Sequence, residues 1–238
     1  MPTIKPRHSF VVRVTHWLTV ASFAALLVSG CEIVLSHPRF YWGETGNVMM
    51  KPLFNLHLPT SRESIPNGYN FTLPDQNGWS RALHFEMAWL LGLTALVYVL
   101  AGIWNGHFRR NLVPRRGERN LRTVWGLLVG FLHNPFRHNS DEDTYNALQR
   151  IVYLFVVFIL FPLILWTGLA MSNAFNAAFP LPVALLGGRQ TARTLHFFDT
   201  IALVLFLFVH LFMITVSGFK NKVWGMIAGV QWTPKERK

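Results

Sequence analysis

The chain has 238 residues, of which 51% are hydrophobic and only 14% are charged, and it carries a formal net charge of +11. Soluble domains usually contain roughly 25% charged residues, so this composition indicates a protein that spends much of its length in lipid. The basic residues lie between apolar segments without the basic stripe of a nucleic-acid-binding surface, which argues against nucleic acid as a partner. The single cysteine, Cys31, excludes an internal disulfide.

Four apolar segments reach the roughly 20 residues that a helix needs to cross a bilayer. In chain order they are Val11–Leu35, Trp79–Trp104, Leu148–Met171 and Thr194–Phe219. The first segment is long and has no small-residue cleavage pattern, so it is expected to be a retained span rather than a signal peptide. The sequence therefore predicts an all-α membrane protein built as a four-transmembrane-helix bundle.

The orientation of the bundle is predicted from Lys and Arg in the connecting segments. There are two in the N-terminal tail, seven between the second and third spans and five in the C-terminal tail, against four on the opposite side. Because positive residues accumulate on the cytoplasmic side, both termini are predicted to be cytoplasmic. Within the cytoplasmic loop, the amphipathic segment Asn120–His133 predicts a helix that lies in the membrane interface.

A long loop, Ser36–Gly78, is then expected to face the periplasm. Its many prolines and glycines predict turns, and its length is greater than a simple connection requires. Its aromatic content argues against disorder, through Phe40, Tyr41, Trp42, Phe54, Tyr69 and Phe71. We therefore expect an ordered periplasmic cap that, with Asn173–Ala192, provides a docking surface.

Four of the ten histidines lie within the predicted spans, where ionisable residues are costly and usually functional. His16 lies near the cytoplasmic start of the first span, whereas His84 and His196 lie near the outer starts of the second and fourth. His210 follows His196 by 14 residues, about 21 Å along a helix and nearly four turns, so the two share roughly one face. The depths predict two pairs, His84–His196 on the periplasmic side and His16–His210 on the cytoplasmic side.

Two imidazoles per site are the ligand set of a haem iron bound on both faces. Haem is flat and apolar and fits between the helices of a bundle, whereas zinc usually requires about four ligands in one cluster. A site with both axial positions filled by protein carries electrons rather than a substrate. The alternative for any one histidine is a hydrogen bond to a neighbouring helix, which explains four histidines at paired depths poorly.

Each of three arginines lies three residues before a candidate ligand: Arg13 before His16, Arg81 before His84 and Arg193 before His196. Arginine binds carboxylates well, so these side chains are candidates for holding haem propionates. The alternative is a positive anchor at the membrane interface. For Arg13 the two interpretations are balanced. For Arg81 and Arg193 propionate binding is favoured, because both lie on the predicted periplasmic side, where positive residues are otherwise scarce.

Several strings carry a family resemblance that covers nearly the whole chain. They are R-V-T-H-W (Arg13–Trp17), H-P-R-F-Y-W-G-E-T-G-N (His37–Asn47), N-G-W-S-R-A-L-H-F (Asn77–Phe85), G-H-F-R-R-N-L-V-P (Gly106–Pro114), Y-N-A-L-Q-R (Tyr145–Arg150) and the two histidines of the last span. The chain resembles the prokaryotic di-haem cytochrome b subunits of the b561, NiFe-hydrogenase and formate dehydrogenase type, most closely the thiosulfate reductase cytochrome b group.

The resemblance implies two b haems, each held by one of the histidine pairs, in a bacterial inner-membrane protein. It also implies quinone exchange near the cytoplasmic haem and a periplasmic redox partner, often a molybdenum (molybdopterin) enzyme. Asn146 matches an asparagine of the formate dehydrogenase quinone pocket and is a candidate quinone contact. Leu148 stands where that family has glycine and fills space, so the pocket need not be identically placed.

These observations predict a single di-haem cytochrome b domain over residues 1–238. The expected function is an electron-transfer and quinone-reacting subunit of an oxidoreductase complex, linking membrane quinone to a periplasmic enzyme. One alternative is a passive membrane anchor or assembly subunit that carries no electrons. Another is a self-sufficient b561-type transmembrane reductase that uses ascorbate.

Overall fold

The computed structural model describes residues 8–47, 49–58, 77–114, 120–133, 147–216 and 218–229. Within these residues, four helical stretches are long and apolar enough to cross a membrane: Phe10–Ser36, Gly78–Trp104, Leu148–Ala170 and Arg189–Val216. Each coincides with one of the four predicted spans. The helical membrane class is therefore confirmed.

The described residues form helices and one pair of short strands. In chain order they are α1 (Phe10–Ser36), β1 (Arg39–Phe40), β2 (Phe54–Asn55), α2 (Asn77–Trp104), a π-helical turn (Phe108–Leu112), α3 (Leu121–His133), α4 (Ala147–Phe155), a second π-helical turn (Val156–Leu160), α5 (Phe161–Ala170), α6 (Asn173–Ala178), α7 (Pro180–Leu185), α8 (Arg189–Val216) and α9 (Phe219–Ala228). The two strands pair antiparallel, with Arg39 opposite Asn55. Helix α3 coincides with the predicted interfacial helix.

The third span is helical throughout but is not uniformly α-helical. The π-helical turn Val156–Leu160 joins α4 to α5 and directly precedes Phe161 and Pro162. A proline cannot donate a hydrogen bond to the carbonyl four residues earlier, and its ring clashes with that carbonyl. One wider turn before Pro162 accommodates this defect without ending the span.

Helix α8 begins at Arg189, five residues before the predicted start at Thr194. The backbone N–H of Arg189 donates to Glu44 Oε2 at 3.0 Å, and the N–H groups of Gln190 and Thr191 donate to the carbonyl of Gly43. The first N–H groups of a helix have no partner within it, and a carboxylate there is favourable. The loop therefore extends the helix beyond its apolar part.

The described part of the Ser36–Gly78 loop is packed against α8. Phe40 is buried and stacks on Phe54, with ring centroids 4.6 Å apart, and it also contacts Phe197 on α8. Thr194 donates its hydroxyl hydrogen to the carbonyl of Tyr41 at 2.7 Å. These contacts agree with the expected ordered cap over residues 36–47 and 49–58; residues 59–76 of the loop lie outside the described residues.

The chain divides into two compact units, each drawn from several segments. One is drawn from residues 17–95 and 162–201, and its small buried cluster consists of Ala170, Val183 and Ala192. The other is drawn from residues 1–16, 96–161 and 202–238, and in it Phe108 packs edge-on against Tyr98 and Phe158. The candidate site residues are distributed over both units.

Candidate functional site

The structure brings His84 of α2 and His196 of α8 together. Their ring centroids lie 6.2 Å apart, with an angle of 59° between the ring planes. Both side chains are largely shielded from solvent. The two histidines predicted to form one pair from their depth thus face each other across a gap.

A serine on α1 orients His84. Ser29 Oγ donates to the carbonyl of Ala25 at 2.8 Å and lies 3.0 Å from His84 Nδ1. Because the hydroxyl hydrogen is directed at the carbonyl, the hydroxyl oxygen accepts from the imidazole, which places the ring proton on Nδ1. His84 Nε2 is left with its lone pair, the state that a metal ligand requires.

A threonine on α5 repeats this arrangement at His196. Thr167 Oγ1 donates to the carbonyl of Leu163 at 2.8 Å and lies 3.0 Å from His196 Nδ1. The same reasoning places the proton of His196 on Nδ1 and the lone pair on Nε2. Both members of the pair are therefore held in the tautomer that suits coordination.

A glycine follows each of these hydroxyl residues and leaves open space beside the imidazole. A Cβ on Gly30 would lie 3.5 Å from His84 Cε1, and a Cβ on Gly168 would lie 3.4 Å from His196 Cε1. Each glycine thus leaves a gap that a methyl group would fill. Because glycine has no side chain, two helices with glycine at these positions leave room for a flat, bulky cofactor between them.

His16 of α1 and His210 of α8 form the second pair. Their ring centroids lie 6.4 Å apart, with an interplanar angle of 51°. His210 stacks on Phe206 at 5.6 Å, and its Nδ1 lies 3.4 Å from the hydroxyl of Tyr153. A tyrosine at a longer distance takes the position that a serine or threonine holds in the first pair.

The spacing within each pair suits a metal bound by two imidazoles. Such a metal lies about 2 Å from a nitrogen of each ring, which places the two ring centres about 6 Å apart. Among the described residues there is no group of three or more His, Cys, Asp or Glu side chains that could hold a metal ion. The distance within each pair is compatible with a haem iron held by two imidazoles.

Two of the three candidate arginines bind backbone carbonyls. Arg193 donates to the carbonyls of His37 and Arg39 and lies over the Phe40 ring. Arg13 donates to the carbonyl of Ile227 at 2.8 Å, near the end of α9. Arg81 is exposed on α2. A role of these arginines in holding propionates stays a prediction.

The sequence interpretation did not identify Ser29, Thr167 or Tyr153. The first two lie in the dipeptides Ser29–Gly30 and Thr167–Gly168. A hydroxyl residue followed by glycine within a span is the sequence pattern that could have indicated them. Asn146, the candidate quinone contact, lies outside the described residues.

One acid next to the first pair is deeply buried. Asp199 follows His196 by three residues on α8 and is 5% exposed. Within the part of the chain that the structure describes, neither carboxylate oxygen has a hydrogen-bond partner. A buried carboxyl without partners is costly, which distinguishes Asp199 from an acid in the solvated interface.

Comparison with known proteins identifies the family of the chain. Residues 7–229 match the family model described as prokaryotic cytochrome b561. The chain is 32% identical over 210 residues to the putative protein-methionine-sulfoxide reductase subunit YedZ1 of Azospira oryzae, an alignment that covers 86% of this chain and 88% of that protein. No solved structure shows significant similarity. The chain therefore belongs to the prokaryotic cytochrome b561 family, and it is a multi-pass bacterial membrane protein that carries electrons by means of haem b.

Proposed function

We propose that this cytochrome is the electron-transfer subunit of an oxidoreductase complex and exchanges electrons between a membrane quinone and a periplasmic enzyme. The observation that carries the proposal is the presence of two separate histidine pairs, with ring centroids 6.2 and 6.4 Å apart. His84 and His196 would hold one haem b, and His16 and His210 the other. When bound, haem b supplies one-electron oxidation and reduction.

The protein's own contribution at the His84–His196 site is to fix the ligands. Ser29 and Thr167 accept hydrogen bonds from the imidazoles and keep the Nε2 lone pairs free for coordination. Each histidine pair would hold its haem with protein ligands alone, which would leave the iron no place for a substrate. The site therefore favours electron transfer over substrate chemistry.

The proposed partner docks on the Ser36–Gly78 loop, which faces the periplasm if both termini are cytoplasmic. The described part of this loop exposes apolar side chains although it is anchored on α8, notably Trp42, Met49 and Leu53. Exposed apolar groups on an ordered surface are typical of interaction sites. YedZ1 is named as a reductase subunit, and we infer that this chain serves a comparable enzyme, of the molybdopterin class that the resemblance implies.

Loss of one histidine is expected to remove one of two haems. His84→Ala or His196→Ala deprives one iron of an axial ligand, and His16→Ala or His210→Ala does the same at the other pair. The measurement is the haem-to-protein ratio and the dithionite-reduced spectrum of the purified protein. His133→Ala is the matched control, because His133 is exposed on α3 and hydrogen-bonds within its own helix.

Three results would contradict the proposal. The purified protein could lack b-type bands, or the His84 and His196 variants could keep full haem content. Haem that is reduced by ascorbate but not by a quinol analogue would instead indicate a self-sufficient transmembrane reductase. A passive anchor would show no haem at all.

A further inference from the structure

The connection between α5 and α8, which contains the short helices α6 and α7, carries no charge. No Lys, Arg, Asp, Glu or His residue occurs between Arg150 and Arg189. A segment of this length in water would be expected to contain several, since roughly a quarter of the residues of soluble domains are charged. The described part of the Ser36–Gly78 loop, which contacts the start of α8, does contain charged residues of both signs. The two connections are therefore suited to different surroundings.

Proline and glycine fix the position of α7 at its two ends. Pro180 is its first residue, where the missing N–H is no loss because the first N–H groups of a helix have no partner within it. After its last turn, Gly188 adopts a left-handed φ of 105° against the Ser36–Gly78 loop. A Cβ on Gly188 would lie 2.7 Å from the backbone nitrogen of Glu44, so only glycine permits this approach. Helix α7 is thus held in a defined place.

One face of α7 is buried and the other is exposed. Val183 is 2% exposed and packs with Ala170 at the end of α5 and with Ala192 near the start of α8. Leu181 and Leu185 are 68% and 70% exposed. Residues four apart lie on the same face of a helix, so these two leucines form a continuous apolar surface.

A hydrogen bond places α7 beside the third span. Trp166 on α5 donates from Nε1 to the carbonyl of Pro182 at 3.1 Å. Trp166 lies four residues, or about 6 Å along the axis, before Ala170, the last residue of α5. Side chains of a helix lean towards its N-terminus, so the indole is directed away from the end at Ala170. Helix α7 therefore lies alongside the end of the span and not beyond it.

The exposed face of α7 adjoins the surface of the span that lipid covers. Trp166 and Leu169 are 37% and 38% exposed on α5, and Trp166 is the residue that contacts α7. Tryptophan is enriched where a membrane meets water, which is the depth expected for the end of a span. Phe179, at the bend between α6 and α7, is 57% exposed and enlarges the apolar surface.

We propose that α7 lies in the membrane interface, with Phe179, Leu181 and Leu185 inserted among the acyl chains of phospholipids in the leaflet where α5 ends. Because the segment has no charged residue, it selects no particular headgroup. A water-soluble enzyme could not reach a face that lies alongside the span. The docking surface expected over Asn173–Ala192 therefore loses this face, and the Ser36–Gly78 loop remains as the surface for a partner.

The first test measures thiol reactivity of the purified full-length cytochrome, reconstituted as single copies in phospholipid nanodiscs that are open to water on both faces. In a Cys31→Ser background, Leu181→Cys and Leu185→Cys replace exposed side chains. A polar maleimide should react with them at least about tenfold more slowly than with Trp42→Cys, because the reactive thiolate is disfavoured in apolar surroundings. Leu205→Cys, 60% exposed on the α8 span, is the control for lipid contact and should react as slowly.

The second test distinguishes lipid from steric shielding. A nitroxide is attached to the same cysteines before reconstitution, and its collisions with oxygen, which concentrates among acyl chains, are compared with collisions with a polar nickel chelate, which stays in water. Oxygen should predominate for Leu181→Cys and Leu185→Cys, as it should for Leu205→Cys. The nickel chelate should predominate for Trp42→Cys.

Three outcomes would overturn the proposal. Fast maleimide reaction or predominant collisions with the nickel chelate in nanodiscs would mean that this face of α7 lies in water. Exposure in nanodiscs combined with protection in proteoliposomes of the purified cytochrome would assign the face to a second copy of this chain. Protection that appears only in native membranes would assign it to a protein partner. None of these measurements depends on the haems or on a quinone, so the proposed function is unaffected by the result.

Discussion

The hydroxyl groups of Ser29 and Thr167 each take part in two hydrogen bonds, one as donor and one as acceptor. Each directs its hydrogen at a carbonyl of its own helix and receives a hydrogen bond from a histidine of another helix. A neutral imidazole that donates from Nδ1 becomes a more basic ligand through Nε2. If His84 and His196 hold a haem as proposed, these two residues would influence both how tightly the iron is held and its reduction potential.

Removing either hydroxyl should weaken one haem site. Ser29→Ala or Thr167→Ala eliminates the acceptor for a histidine N–H, and outer contacts of this kind typically change metal affinity about 10- to 100-fold. We expect faster haem loss during dilution and a higher midpoint potential for one haem, because the ligand becomes less basic. Redox titration followed in the visible spectrum measures both effects.

Thr215→Ala is the matched control for the hydroxyl variants. Thr215 lies on α8, is exposed, and makes the same hydrogen bond to a carbonyl of its own helix, that of Leu211. Its loss should leave both midpoint potentials unchanged. Unchanged potentials in Ser29→Ala and Thr167→Ala as well would mean that the hydroxyls do not orient the histidines.

The pairing of the four histidines could be predicted from the sequence because depth within a span is readable from spacing alone, whereas their role as haem ligands stays a prediction. The hydroxyl partners could not, since their contacts depend on how two helices are aligned, which one sequence does not specify. The same limit applies to Arg193, whose carbonyl partners, His37 and Arg39, lie far from it in the chain.

At the scale of elements, the existence of the helices was predictable and some of their ends were not. A bilayer demands about 20 apolar residues, so each span is visible as an apolar run. The start of α8 depends on Glu44, which is 145 residues away from Arg189 in the chain. The wider turn in the third span could have been expected from Pro162, although the apolar pattern continues through it unchanged.

Replacing the acid that caps α8 should loosen its first turn. Glu44→Gln removes a negative charge from the helix start and is expected to destabilise the protein by about 0.5–1 kcal/mol. Hydrogen exchange should become faster at the amides of Arg189, Gln190 and Thr191. Glu86→Gln, an exposed acid on α2, should leave exchange at these amides unchanged. Equal exchange in both variants would contradict the capping role.

At the scale of the whole molecule, the exposed apolar side chains reflect the membrane. Large apolar groups on every span are exposed, among them Val28, Leu100, Ile159 and Phe208. In water such a surface would promote aggregation, whereas in a bilayer it is covered by lipid. The composition therefore predicted the membrane class directly, while the orientation still rests on the distribution of Lys and Arg.

Thiol labelling of intact spheroplasts should test the orientation. In a Cys31→Ser background, a single cysteine is introduced by Trp42→Cys or by His133→Cys. Both positions are exposed in the structure. With cytoplasmic termini, a membrane-impermeant maleimide should label only the first variant, and both should react after lysis. Labelling of the second variant in intact spheroplasts would reverse the proposed topology.

The hydrogen bonds between the Ser36–Gly78 loop and the start of α8 limit how the loop can be changed by engineering. Gly43 and Glu44 accept the N–H groups of three successive helical residues, Arg189, Gln190 and Thr191. A deletion that shortens the loop through Gly43 and Glu44 would therefore leave a helix start without partners close to His196. A chimaera meant to recognise a different enzyme should exchange the loop on either side of these two residues and keep them in place.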